Sequence, residues 1–230
     1  MTVAAVILAA TPESALADAA GRPAARRIVE TAWAGGAVPI IVVAPERDGA
    51  VAASLAGSGA TLAEPAPSTA GPVGQILRGM TVTRNAVTET DAAFIWPADM
   101  VWVDAETITS LIQAHGLDEA AILRPTWHGE PGWPVLVPLE RMADLAVSSP
   151  TRMPDELVAD LVAAGVPIRL LDMGDPGATH DRDTPIADLP EYEGPAENAG
   201  RPAPEWGAAA ADRAEDTPLE GPALAPYEPA

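Results

Sequence analysis

The chain has 230 residues, 48% of them apolar, which is enough for one domain with a sizeable core. It has no cysteine, and its 13 basic residues are all arginines, so thiol chemistry, Schiff-base lysines and a Walker A lysine are excluded. Its 33 acidic residues give a formal charge of −20, which disfavours nucleic acid and anionic membranes; small phosphorylated ligands remain open if a metal ion screens them.

In chain order, Val3–Ala9 reads as a strand. With the small residues after it, this run loosely imitates a secretory signal, but it is short and no basic residue precedes it. A first buried strand and a cytoplasmic protein are therefore expected. No apolar run approaches the roughly 20 residues that span a bilayer. Pro23–Ala34 reads as a helix with proline near its start and Gly35-Gly36 past its end. Val38–Ala44 is a β-branched strand and Asp48–Ala56 a short helix. The loop Glu64–Thr69 precedes Gly71-Pro72-Val73-Gly74 and a helix to about Val87.

The strand Ala92–Trp96 ends at a turn carrying Asp99, and a short apolar step, Met100–Val103, leads into a helix over Asp104–His115. Ala120–Arg124, Trp133–Val137 and Val166–Leu171 read as strands, with a helix at Pro154–Ala164. Near-continuous apolar strands separated by helices predict a three-layer α/β domain with a mainly parallel sheet. From about Pro190 the pattern is lost: the last stretch holds eight prolines, nine acidic residues and two arginines. It cannot bury enough surface to offset its ordering entropy, and a disordered, solubilising acidic tail over 190–230 is expected beyond a domain of residues 1–189.

Ligands of open α/β sheets bind outside the carboxyl ends of the strands. A carboxylate there, such as Asp99, is placed to hold a hard divalent cation against a phosphate chain. Asp181 and Asp183, on the polar turn Asp181-Arg182-Asp183-Thr184-Pro185, could supply a second carboxylate, since magnesium takes only one or two from protein. Gly71–Gly74 would let backbone amides approach a base or ribose. Trp127 and Trp133, which flank Gly129–Gly132, could wall a flat ligand. His115, His128 and His180 match no metal spacing.

Six segments in order resemble the MobA-like nucleotidyltransferases, which attach GMP or CMP to molybdopterin. They are Val6-Ile7-Leu8-Ala9-Ala10, Gly21-Arg22-Pro23, Gly71–Met80, Pro97-Ala98-Asp99-Met100, Gly132-Trp133-Pro134-Val135, and Asp181–Pro185 with Asp188-Leu189. The resemblance implies a Rossmann-like nucleotidyltransferase fold and Mg²⁺ at Asp99 with Asp181 or Asp183. It also implies a CTP or GTP site at Leu8, Ala9, Ala10, Thr11, Gly71, Gly74 and Gln75. The acceptor site it implies lies at Trp127, Gly132 and Trp133, with molybdopterin or a molybdoenzyme as partner.

The chain departs from that family after its first strand. There the family has glycine, then Arg-Met-Gly, then lysine; here Thr11 replaces the glycine, the loop is several residues shorter, and Pro12–Ala20 holds no basic residue. Arg22 and Arg26, on one face of a helix with Arg27 beside them, are the available substitutes as catalytic cations. Two functions are thus expected: nucleotidyl transfer, with Trp133 replacing the family's acceptor-side histidine, or a catalytically impaired member that binds nucleotide as an accessory protein.

Overall fold

The computed structural model describes residues 1–194; the expected acidic tail lies, from residue 195 on, outside the described residues. Eight strands form one sheet: β1 (Val3–Leu8), β2 (Ile40–Val43), β3 (Thr61–Ala63), β4 (Ala92–Pro97), β5 (Ile122–Trp127), β6 (Glu130–Pro131), β7 (Val135–Pro138) and β8 (Ile168–Asp172). Their spatial order is β3-β2-β1-β4-β7-β5-β6, with β8 also beside β5. The pairs β1·β2, β1·β4, β2·β3 and β5·β8 are parallel. The intervening β7 runs antiparallel to both β4 and β5, so the mainly parallel sheet is mixed on that side.

Both faces are covered, which is why the strands read as unbroken apolar runs. Along β1, Val3, Ala5 and Ile7 pack with α2 (Ala24–Ala34) and α5 (Ala105–His115) through Ile28, Val29, Ile108 and Leu111. The alternate residues Ala4 and Val6 pack with α4 (Gly71–Ala86) and α7 (Pro154–Ala163) through Ile76, Met80, Leu157 and Leu161. The result is the expected three-layer arrangement.

Among the shorter elements are α1 (Pro12–Leu16), α3 (Ala50–Leu55), α6 (Met142–Ala146) and the two-residue β6. Of these, only α3 was legible as a pattern. The strand expected over Ala120–Arg124 begins at Ile122 and continues to Trp127, and that expected over Trp133–Val137 begins after the Trp133-Pro134 step. Among the described residues no helix is long and apolar enough to cross a membrane.

Past β8 the chain returns across the carboxyl ends of the strands, held by Asp175. This side chain is buried and accepts from the Asp104 N–H at 2.9 Å, the Thr107 hydroxyl at 2.7 Å and the Gly177 N–H at 2.8 Å. Asp104 in turn caps α5, accepting from the Glu106 N–H at 2.9 Å.

Burial pushes the Asp175 carboxyl above the usual carboxylate range. Its protonation therefore favours the folded chain: that contribution is whole below the unfolded-state value and is lost as pH rises through the raised one. Asp175→Asn is expected to remove this component of the stability–pH curve. Asp175→Ala is expected to cost roughly 1–3 kcal/mol by stranding buried donors. In thermal melts at neutral pH the midpoint should fall about 2–4 °C for each kcal/mol.

Candidate active site

The strand order places β1 between β2 and β4, so the connections after β1 and β4 leave in opposite directions from one edge. That is where open α/β sheets bind ligands. The edge is stitched by the Ala9 N–H on the Val43 carbonyl and the Ala98 N–H on the Leu8 carbonyl, both 3.0 Å. Leu8, Ala9 and Ala10 thus lie at the strand mouth. Thr11 is used by the fold: its hydroxyl accepts from the Ser14 N–H, and its own N–H donates to the Ser14 hydroxyl, both 3.1 Å. This reciprocal cap starts α1 and condenses the shortened loop into one helical turn. The acidic residue of that turn, Glu13, is paired with Arg47 at 2.7 Å.

Asp99 sits on the turn after β4. The turn closes through Met100 N–H to the Pro97 carbonyl at 3.1 Å, and the buried Trp96 indole donates to the Met100 carbonyl at 2.9 Å. The distant 181–184 turn docks directly on it. The Arg182 N–H donates to the Asp99 carbonyl at 2.8 Å, and the Trp102 indole donates to the carbonyls of Asp181 and Thr184 at 2.9 and 3.0 Å. Asp99 and Asp181 consequently line one cavity of about 390 Å³, together with Arg124, Glu130, Asp155 and Trp133.

Asp183 does not share that position. Its side chain is exposed and outside the cavity, while its N–H donates to the Asp181 carboxylate at 3.0 Å. Among the described residues no three histidine or carboxylate side chains converge as a ready-made metal cage. Asp99 and Asp181 reach one cavity from segments about eighty positions apart.

Arg22 and Arg26 are not brought to this cavity. Both pair with Glu30 of α2, Arg26 at 2.7 Å, and Arg26 also donates to the Ala56 carbonyl at 2.7 Å. Arg26 lies one turn before Glu30 on α2, and Arg22, on the turn just before the helix, reaches the same carboxylate. Arg27 points elsewhere, donating to the Val101 carbonyl at 2.9 Å with its guanidinium 4.9 Å from the Trp102 ring centre.

Gly71, Gly74 and Gln75 lie at the start of α4 and each has a packing role. Gly71 adopts φ +57°, and a Cβ there would lie 2.0 Å from the Pro150 carbonyl oxygen. A Cβ on Gly74 would lie 2.3 Å from that of Ala70. The Gln75 amide bonds both the N–H and the carbonyl of Ala66, at 2.9 and 3.0 Å. It thereby fixes the loop after β3, whose Glu64 and Pro65 line a second cavity of about 510 Å³ at the carboxyl ends of β2 and β3.

On the expected acceptor side, Gly132 and Trp133 line the Asp99 cavity, whereas Trp127 does not. Trp127 stacks on His128 at 4.2 Å and meets His180 edge-on at 5.2 Å. The residue missed by the sequence reading is Arg124, on β5. Its signal was a guanidinium set inside the otherwise apolar run Ala120–Pro125. Its side chain is 13% exposed, donates to the Gly132 carbonyl at 2.9 Å and to Asp155 at 2.6 Å, and lies 5.3 Å from the Trp133 ring centre.

A family model for the MobA-like NTP transferase domain matches residues 12–162. No curated protein sequence matches the chain. Among solved structures, a nucleotidyl transferase from Methanothermobacter is similar at TM-score 0.62 and 17% identity, covering 74% of this chain and 87% of that one. A Mycobacterium tuberculosis protein in complex with manganese is similar at TM-score 0.59 and 18% identity, covering 75% and 89%. A 4-diphosphocytidyl-2C-methyl-D-erythritol synthase is similar at TM-score 0.60 and 17% identity, covering 81% and 95%. At these identities the solved structures speak for the Rossmann-like fold alone.

The walls of the Asp99 cavity meet at Gly132, where an added Cβ would lie 2.3 Å from the Ala178 carbonyl oxygen, the same atom that accepts the Trp133 N–H at 2.7 Å. Gly132→Ala is expected to force these segments apart and cost roughly 1–3 kcal/mol. Hydrogen exchange should report it as lost protection of the Trp133 amide; retained protection would refute the contact.

Proposed function

Because the chain belongs to the MobA-like NTP transferase family, we propose that it moves an NMP group from an NTP to a phosphorylated acceptor and releases pyrophosphate. The observation that carries this is the meeting of Asp99 and Asp181, from distant segments, on one cavity at the switch point of the sheet. Nucleotidyltransferases of this kind generally use a divalent metal. On our reading the metal is Mg²⁺, held by Asp99 and Asp181, and it supplies positive charge against the phosphates.

The rest falls to the chain's own groups. The strand mouth at Leu8–Thr11 and the start of α4 at Gly71–Gln75 receive the nucleotide, CTP or GTP, through backbone contacts. Gly132 and Trp133 wall the acceptor side. An oxygen of the acceptor's phosphate attacks the α-phosphorus, the bond to the β-phosphate breaks, and its electrons leave with pyrophosphate. Rate in such chemistry comes largely from positioning and electrostatics. The acceptor implied by the family resemblance is molybdopterin, alone or in the hands of a molybdoenzyme, in the cytoplasm. Asp183, displaced from the cavity, serves the turn rather than the metal.

A second reading rests on a specific observation. The turn after β1 carries no cation, and Arg22 and Arg26 are committed to Glu30. A member of the family without those charges would bind nucleotide without turnover and act as an accessory protein.

Thermal melts with CTP or GTP, with and without Mg²⁺, separate the two. Transfer predicts metal-dependent stabilisation, pyrophosphate release with acceptor present, and a loss of about 10²-fold or more in rate for Asp99→Ala. Stabilisation without release supports the accessory reading, and no stabilisation by either nucleotide defeats both. Arg22→Ala is expected to leave the rate unchanged and to cost at most about 1 kcal/mol, the ordinary worth of an exposed ion pair.

A further inference from the structure

Four carboxylates line the Asp99 cavity, those of Asp99, Glu130, Asp155 and Asp181, against one guanidinium among the described residues, that of Arg124. Arg124 rises from β5 with its side chain 13% exposed, its Nε donates to the Gly132 carbonyl, and its plane stands against the Trp133 ring. These contacts fix the guanidinium's position. The contact that does not is the ion pair from Nη2 to Asp155, whose own side chain is 61% exposed at the start of α7. Asp155 is thus the solvent-facing partner of an anchored cation.

A guanidinium has five N–H donors, and two are used here, one by Gly132 and one by Asp155. Its fork matches a phosphate as well as a carboxylate, and charge-assisted bonds of this kind are the strong ones. Resting on the transfer reading for the name of the site, we propose that Arg124 recognises the terminal phosphate of the acceptor and that Asp155 competes with that phosphate for it. The ligand class is a phosphomonoester. Discrimination against an unphosphorylated analogue follows, because only a phosphate can take up the remaining donors of the Arg124 fork.

The test uses the full chain with EDTA present and no nucleotide, so neither a metal bridge nor turnover contributes. Calorimetric titration with phenyl phosphate is compared with phenol as the uncharged control. Phenyl phosphate is expected to bind and phenol not. Asp155→Asn should tighten phenyl phosphate binding by about tenfold, the scale of one charge-assisted hydrogen bond. Arg124→Gln should weaken it by at least as much, and Arg124→Lys, which keeps charge but loses the fork, should fall between.

A gain of affinity in Asp155→Asn cannot come from misfolding, so it protects the test against an unstable Arg124 variant. Unchanged or weaker binding in Asp155→Asn overturns the proposal, as does binding in Arg124→Gln equal to the parent chain. If the affinity changes appear while no pyrophosphate is ever released, the anion site stands and only the transfer reading falls.

Discussion

The buried carboxylate of Asp175 brings the late residues of the chain back over the strand ends, and the candidate site exists only because of that return. With three donors satisfied at one side chain, the segment is held against the start of α5. Gly177 then passes so near the 102–103 backbone that a Cβ would lie 2.0 Å from the Trp102 carbonyl oxygen. Ala178 receives the Trp133 N–H, and Arg182 reaches Asp99. Most of these contacts are made by backbone atoms. Among the described residues the Asp99 carboxylate therefore forms no hydrogen bond, and Asp181 gives only Oδ1, to the Asp183 N–H. The fold docks the two turns and leaves acidic oxygens available.

What the sequence disclosed follows from how far each feature reaches along the chain. The core strands were legible because burial on both faces turns Val3–Leu8 and Ile40–Val43 into unbroken apolar runs. The helix limits at Pro23, Asp104 and Pro154 were legible because caps are local chemistry. The antiparallel course of β7 was not legible, since nothing within Val135–Pro138 says which neighbour it will join. The turn α1 was too short for any periodicity and depends on one reciprocal cap at Thr11 and Ser14. Asp175 reads as an ordinary residue before proline, because two of its three partners lie about seventy positions earlier.

The same distinction runs through the site. Asp99 and Asp181 were visible as acids on turns at fitting places in the chain, and the structure sets both on one cavity. Arg22 and Arg26 were visible as cations expected on one helical face, but Arg22 precedes α2, and Glu30 on that helix takes both. A helical-wheel argument identifies neighbours without deciding whether they bind each other or a ligand. Arg124 is the converse: a guanidinium inside an apolar run stands out, but nothing near it in the sequence names its partners, and only the convergence of β5, Gly132 and Asp155 gives it a position.

Charge ties these points together. Two like charges about 4 Å apart repel by about 4 kcal/mol at an effective dielectric of 20, so a triphosphate beside four carboxylates is strongly opposed. A site with lysine and arginine in its first loop shares that load among fixed cations; this chain has no lysine, and its loop has no cation. On the transfer reading, Asp99 and Asp181 would hold a metal that supplies a larger part of the neutralisation. On that reading, metal and nucleotide would each strengthen the binding of the other. Arg124 cannot replace the metal, because Asp155 already balances it. Its anchored fork suits it instead, on our proposal, to a single phosphate of the acceptor, which needs to displace only the solvent-exposed Asp155.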